Sequence, residues 1–308
     1  MTRAPCTVDS NKHDRKSSTP RSTEHGARTT DFIYGRRPVL EALRAAGRVL
    51  HKLWIAEGTH GTEEIWRLAR ERGVPVERAR REHLDKRVQG HHQGVVAQAS
   101  AITYKELDDL IHSLGTVPKD QNKALLGTVP NKQAIVVLAL DEIQDPHNIG
   151  AILRSAGFFG ASGAIVPRWR SAPVGETAAR VSSGAIDHIP LVRVRNLADA
   201  ILTLKEAGFE VIGADMEGLP LEEHTPSSRT ALVFGSEGKG LRRLVRERCD
   251  KLLKIPGQGS VGSLNVGAAA AIFLHHFCQG SFRHSVLGDH HTTGDRPPDV
   301  WRTDPPTT

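Results

Sequence analysis

Six short apolar runs constrain this chain more than anything else in it. They occupy residues 135–140, 164–166, 191–194, 210–213, 231–234 and 252–255, and most of the gaps between them carry helical patterns such as 197–207. A short apolar run bounded by turn residues reads as a strand covered on both faces. Strands that alternate with helices build a parallel sheet. Residues 134–279 are therefore predicted to form an α/β domain around a parallel sheet, and such sheets bind ligands beyond the carboxyl ends of their strands.

The chain is long enough for about two domains at roughly 150 residues each. A smaller α/β unit is predicted over 31–101, with helices at 38–46 and 63–72 and strands at 52–56, 74–76 and 94–97. It carries Arg36, Arg37, Arg44, Arg48, Arg78, Arg80, Arg81, Lys86 and Arg87, which suit either phosphate contacts or an ordinary solvated face. Residues 102–133 read as a linker containing a short repeat, 114–118 and 126–130. Residues 1–30 read as a disordered basic arm and 280–308 as a disordered polar tail, because neither has the apolar content to form a core. The Ser/Arg bias of the arm faintly resembles an organelle transit peptide, but Asp9, Asp14 and Glu24 oppose that.

A net charge of +6 suits an anionic partner such as nucleic acid as readily as a merely basic soluble protein. No run approaches the ~18 apolar residues of a membrane span. Cys6, Cys249 and Cys278 lie far apart, and no Cys or carboxylate sits at ligand spacing from the histidine pairs. A reduced, cytoplasmic protein with no metal site is the expectation.

Three polar turns follow three of the strands. In the first, residues 141–150, Asp145 can cap a helix and Pro146 suits its first position. Asn148 lies in the first turn of that helix and Arg154 off its apolar face, so each suits a ligand contact as well as a cap or a surface ion pair. The second, residues 234–240, has three glycines, which leave backbone groups open to a ligand, and one acid, Glu237. The third, 256–265, leads into an alanine-rich helix and offers Ser263 and Asn265 at its mouth. Residues 257–262 match the dinucleotide pattern G-x-G-x-x-G. No strand is available after the helix and no acid stands about 20 positions on, so the match is read as a decoy.

Taken together, the three turns resemble those of the SpoU/TrmH family of RNA ribose 2′-O-methyltransferases. The resemblance rests on Asp145-Pro146-His147-Asn148-Ile149-Gly150 with Arg154, on Phe234-Gly235-Ser236-Glu237-Gly238, and on Ile255-Pro256 with Ser263-Leu264-Asn265-Val266. Residues 32–39, 92–97 and 183–185 resemble the RlmB-type subgroup, which modifies a guanosine ribose in large-subunit (23S) rRNA. The resemblance implies a trefoil-knotted α/β domain, a small N-terminal RNA-binding domain similar to ribosomal protein L30e, a homodimer, and S-adenosylmethionine as cofactor. It also implies a catalytic set of Asn148, Arg154, Glu237, Ser263 and Asn265, and a cofactor site at Gly213, Phe234, Gly235, Gly240, Ile255 and Leu264. Arg154 would hold the nucleotide's phosphate and 2′-hydroxyl, and Glu237 would fix Arg154 or Asn148, within one chain or across the dimer. The expected partner is large-subunit rRNA, with neither DNA nor a membrane involved. The competing readings are a tRNA ribose methyltransferase, a resistance-type rRNA methyltransferase, and a non-catalytic RNA-binding or ribosome-assembly factor.

Overall fold

The computed structural model describes residues 30–45, 47–115 and 134–286, with side chains of the last stretch as far as Cys278. Residues 1–29, most of the internal repeat and residues 287–308 lie outside the described residues.

The N-terminal unit is a four-stranded sheet of β1 (Thr30–Tyr34), β2 (Leu50–Ala56), β3 (Val76–Ala79) and β4 (Val95–Ser100), in the order β1-β4-β2-β3. Helices α1 (Arg36–Arg44) and α2 (Glu63–Glu71) bring Val39, Leu43, Ile65 and Ala69 into a core with Leu53 and Val95. On another side a short α3 (Arg81–Asp85) buries Leu84 against Trp54 and Tyr34.

The larger unit is a six-stranded sheet, β10-β8-β9-β5-β6-β7, in which every pairing is parallel. Its strands are β5 (Ile135–Leu140), β6 (Gly163–Pro167), β7 (Leu191–Val194), β8 (Glu210–Pro220), β9 (Arg229–Phe234) and β10 (Lys251–Lys254). Successive residues of β5 alternate between two cores: Val136, Leu138 and Leu140 enter one, Val137 and Ala139 the other. The first core includes α5 (Pro146–Phe159) and α9 (Val266–Val286); the second includes α7 (Leu197–Glu206) and α8 (Arg243–Arg248). Burial on both faces is what the apolar runs required.

Two expectations need correction. The linker 102–133 is not featureless: α4 (Leu107–Ser113) lies in it, and Leu110 and Ile111 are buried in the second core. Leu107, Leu110, Ile111 and Leu114 recur at one-face helical spacing, which makes a helix that docks on the sheet. The C-terminal tail does not begin at 280 either, because α9 continues to Val286. Extending a formed helix is cheap, Gly280 costs only ~1 kcal/mol in it, and the next proline is Pro297.

The two units are joined by buried polar contacts as well as by the chain. Arg48 donates to both oxygens of Asp187, at 2.6 Å and 3.2 Å, with side chains only 4% and 3% exposed. Arg48 therefore leaves the group of candidate phosphate contacts. Arg44 is likewise engaged, by Glu41 and Glu64. The 3-10 turn Ala185–Asp187 also presses on the N-terminal unit: a Cβ on Gly184 would overlap the Glu41 side chain, and one on Gly47 the Asp187 carbonyl. Among the described residues no helix is long and apolar enough to cross a membrane.

Candidate active site

Helix α5 starts as its sequence dictates. Asp145 accepts a hydrogen bond from the His147 N–H at 2.8 Å, Pro146 fills the first position, and Gly160 at φ 76° ends the helix. That start holds Asn148, a buried polar residue, beside the end of β5. The turn before it is braced from an unexpected side. Asp141, 1% exposed, accepts bonds from the Arg242 backbone N–H at 2.8 Å and from its Nε at 2.7 Å. Asp141 and Arg242 join the first polar turn to the second. Neither was singled out from the sequence, because nothing in the chain marks the pairing of an acid with a base 101 residues away.

The second turn is closed on itself by reciprocal backbone bonds between Ser236 and Gly240, at 3.1 Å and 2.9 Å. Gly238 and Gly240 have φ of 84° and 64°, where an L side chain is strained. A Cβ on Gly235 would overlap the Gly240 carbonyl. The fold holds Glu237 out on this tight loop.

The third turn brings the other two together. Asn265 precedes α9, and its Oδ1 accepts from the N–H groups of Gly267 at 2.9 Å and Ala268 at 3.4 Å. Its Nδ2 therefore faces the other way, donating to Asn148 Oδ1 at 2.9 Å and to Glu237 Oε1 at 2.7 Å. One amide thus caps a helix and joins residues from all three turns. Glu237, expected to fix Arg154 or Asn148, fixes Asn265 and through it Asn148. Among the described residues Asn148 Nδ2 has no protein partner, so it remains a donor for a ligand.

Ser263 and Leu264 lie on an exposed loop, with Leu264 half-exposed and Ile255 packed at the edge of the first core. Gly257, Gly259 and Gly262 have open space where a Cβ would stand. The dinucleotide-like run is therefore a coil, and α9 is the last element of the chain among the described residues. Gly213 and Phe234 lie deeper. Leu241, Leu252 and Cys249 fill the space over Gly213, and the Phe234 ring meets Phe273 edge-on with centroids 5.5 Å apart. Packing alone accounts for those two residue types.

Arg154 is not brought to this cluster within one chain. It stands six residues beyond Asn148 on α5, about 120° round the helix. There it is exposed and lines a groove of about 520 Å3 between the two units, with Arg37, Glu41, Phe158, Ser183 and His188. The three subgroup-like segments converge near the same junction. Gln93 Oε1 accepts from the Arg36 N–H at 3.1 Å, the Gly35 N–H donates to Val95 O, and Gly184 packs on Glu41.

Fold and site together define a class: a parallel α/β domain with an open, three-turn polar cluster at its strand ends, docked to a separate small α/β domain. Residues 135–275 match the SpoU rRNA Methylase family, and residues 32–105 match the RNA 2′-O ribose methyltransferase substrate-binding domain. The chain belongs to the SpoU family of RNA methyltransferases. It is 40% identical over 248 residues to YacO of Bacillus subtilis (strain 168), assigned by name to the TrmH family of tRNA/rRNA methyltransferases; the match covers 80% of this chain and 94% of YacO. The SpoU methyltransferase AviRb of Streptomyces viridochromogenes, solved with AdoMet, superposes with a TM-score of 0.64 at 25% identity, over 85% of this chain and 92% of AviRb. An AdoMet-bound rRNA methyltransferase of Sinorhizobium meliloti superposes at 0.63, also at 25% identity, over 83% of this chain and 88% of its own.

Proposed function

We propose that this SpoU methyltransferase moves a methyl group from S-adenosylmethionine to the ribose 2′-hydroxyl of a guanosine in large-subunit rRNA, and that it works as a homodimer. The observation that carries the reading is the Asn148–Asn265–Glu237 network, which ties the family's three motif turns into one polar site.

The residues present fit that cofactor. Residues 255–265 contain no basic side chain, expose apolar Val261 and Leu264, and leave glycine backbone open. Such a surface suits an adenosine held by backbone groups and apolar contact, and it offers no side-chain charge to a pyrophosphate. When bound, the cofactor supplies a methyl group activated on a sulfonium. Ile255, Leu264 and the backbone at Gly235 would hold its adenosyl part. Asn148 would donate to substrate or cofactor through Nδ2, and Ser263 lies free to do the same from the loop. The Arg154 guanidinium has five N–H donors and no acceptor. It therefore serves as a donor to the phosphate and the ribose oxygen, and the 2′-oxygen's proton passes to another group or to water. Correct positioning supplies much of the rate in such a transfer.

Two features support a second copy. Arg154 diverges from Asn148 on one helix, so a neighbouring chain's Arg154 would complete the site. Phe158 is 77% exposed and Ile272 40%, on the two helices that pack together beside it. The substrate domain at the Arg154 groove and the convergence of the subgroup segments there support rRNA over tRNA. The test is ribose-methylation mapping in a strain lacking the protein, together with tritiated S-adenosylmethionine and purified rRNA or tRNA. A single missing guanosine mark in large-subunit rRNA is expected, and a mark lost from tRNA instead would refute the rRNA assignment. Mixing inactive Arg154→Ala and Asn265→Ala chains tests the dimer: activity should return in the mixture, and a mixture that stays inactive would refute the shared site.

A further inference from the structure

The segment after β6, Arg168-Trp169-Arg170, is used by nothing described so far. It leaves the carboxyl end of a strand adjacent to β5, on the same side of the sheet as Asp141 and the start of α5. All three residues are exposed, and the Trp169 side chain is 56% accessible. A lone exposed apolar residue needs no explanation. Here, however, the loop is firmly tied down. The Arg168 N–H donates to Val194 O at 2.8 Å, and both Ser171 Oγ and the Ala172 N–H donate to Ile143 O, at 3.0 Å and 2.8 Å. The tripeptide is stapled to the turn that leads into Asn148.

Two non-glycine residues in this small region take left-handed backbone, Glu142 at φ 56° and Arg170 at φ 60°. Such conformations are uncommon outside glycine and cost free energy, so the surrounding bonds must enforce them. The Arg168 guanidinium lies 5.3 Å from the Trp169 ring centroid. Arg170 has only a long 3.6 Å approach to Glu142, which Arg242 also engages at 3.3 Å. Arg195, just past β7, is exposed beside Arg168 with no ion pair among the described residues. The surface is therefore one aromatic ring among three arginines, with Glu142 as the single acid bonded to it, on a loop fixed to the catalytic turns.

We infer that Trp169 is a stacking platform for the base of an unpaired nucleotide flanking the methylation target, with Arg168 and Arg195 receiving its phosphates. This rests on the RNA methyltransferase reading above. Single strands are bound by this combination of a positive track and aromatic faces, and every base has a face to stack. A duplex keeps its bases in the helix and cannot use the ring.

The test uses the full chain with end-labelled twelve-nucleotide oligo(A), alone or paired with oligo(U), read by fluorescence anisotropy. Trp169→Ala should weaken binding of the single strand about tenfold or more, while Trp169→Phe stays within about threefold of the parent. The duplex should bind Trp169→Ala as it binds the parent. Arg168→Ala should lower the salt dependence of single-strand binding by a slope of about 0.7. In methylation assays Trp169→Ala should raise KM for RNA and leave kcat largely unchanged. Unchanged binding of S-adenosylmethionine by calorimetry shows that the variant is folded. Equal binding of oligo(A) by Trp169→Ala and the parent would overturn the inference, and so would an equal loss on the duplex. If the parent methylates no RNA but the oligo(A) result holds, the function reading fails and the stacking surface stands. If methylation is robust and Trp169→Ala binds normally, the reverse follows.

Discussion

The buried pair Arg48–Asp187 is the sharpest place to perturb this molecule, because it ties two separately cored units. Arg48→Met keeps much of the arginine's apolar stem and removes the charge. Asp187, 3% exposed, then sits in the junction with its main partner gone. Removing one member of a buried pair costs about 3–5 kcal/mol, most of it from the stranded charge. Neither core contains this pair, so the loss falls on docking between the units, where the remaining polar ties are weaker: Glu41 to His188 at 3.1 Å and Arg180 to Tyr34 at 3.4 Å. A loss of that size shifts a docking equilibrium by roughly two to four orders of magnitude. In calorimetry the parent should melt in one joint transition and Arg48→Met in two, with the smaller unit first. S-adenosylmethionine affinity should survive, because the Asn148–Asn265–Glu237 network lies outside the junction, while KM for RNA should rise as the Arg154 groove loses its second wall. The double variant Arg48→Met/Asp187→Leu, with no charge left to strand, should recover most of the joint melting. A single transition at the parent's midpoint for Arg48→Met, or a double variant no better than the single, would refute the reasoning.

Other outcomes follow from the same geometry. Asn265→Ala should lose about 1 kcal/mol of capping and nearly all methylation. Asn265→Asp should keep the cap but place a second carboxylate against Glu237, so its methylation should fall equally; a thermal melt and a tritium-transfer assay separate the two effects. Gly235→Ala should push the loop off its Gly240 closure and weaken S-adenosylmethionine binding at least tenfold by calorimetry, with normal affinity as the refuting result. Burial pushes the Cys249 thiol up to about 12 and the Cys278 thiol up to about 11. Both should resist alkylation at pH 8 until the protein unfolds, as resolved by peptide mass spectrometry. Since the unfolded thiols ionise near pH 8.5 and the folded ones do not, their contribution to stability is complete below that pH and is lost as pH climbs towards 11–12.

The sequence was most legible where one physical demand acts alone. Strands β5 and β7 begin and end where their apolar runs do, because a parallel strand buried on both faces admits little else. Strand β8 was read as four residues and spans eleven. Its far half is charged and partly exposed at Asp215 and Glu217, and it is held through pairing with β10 and through Arg246, which bonds both acids. Helix α4 was visible in its spacing and was hidden by the glycine and proline that follow it. The arginines of the small unit show what spacing cannot convey. Arg48 finds its acid 139 positions away, while Arg78 and Arg87 lie over Trp66 and Trp54. Composition showed a basic face, and only the fold separates the arginines that hold the protein together from those left exposed at the surface. At the site, the three motif turns were readable, but the hub was not. Asn265 reads in the sequence as a cap or a catalytic group, and its geometry makes it the cap and the link between the three turns.

The identity of that hub follows from what it must do at once. Two helix N–H groups need an acceptor, and Asn148 Oδ1 and Glu237 Oε1 both need a donor. An aspartate supplies the first function and none of the second, because an ionised carboxylate has no hydrogen to give. A serine has one hydrogen for two acceptors. A glutamine has the right amide, but its extra methylene would carry the oxygen away from the N–H groups that a short side chain reaches from the cap position. Only asparagine has an acceptor and a two-hydrogen donor back to back at that length. The start of α9 thereby becomes the element that orients Asn148, and with it an Nδ2 that has no protein partner among the described residues. Any displacement of α9 is transmitted to that nitrogen through one side chain, without passing through the sheet.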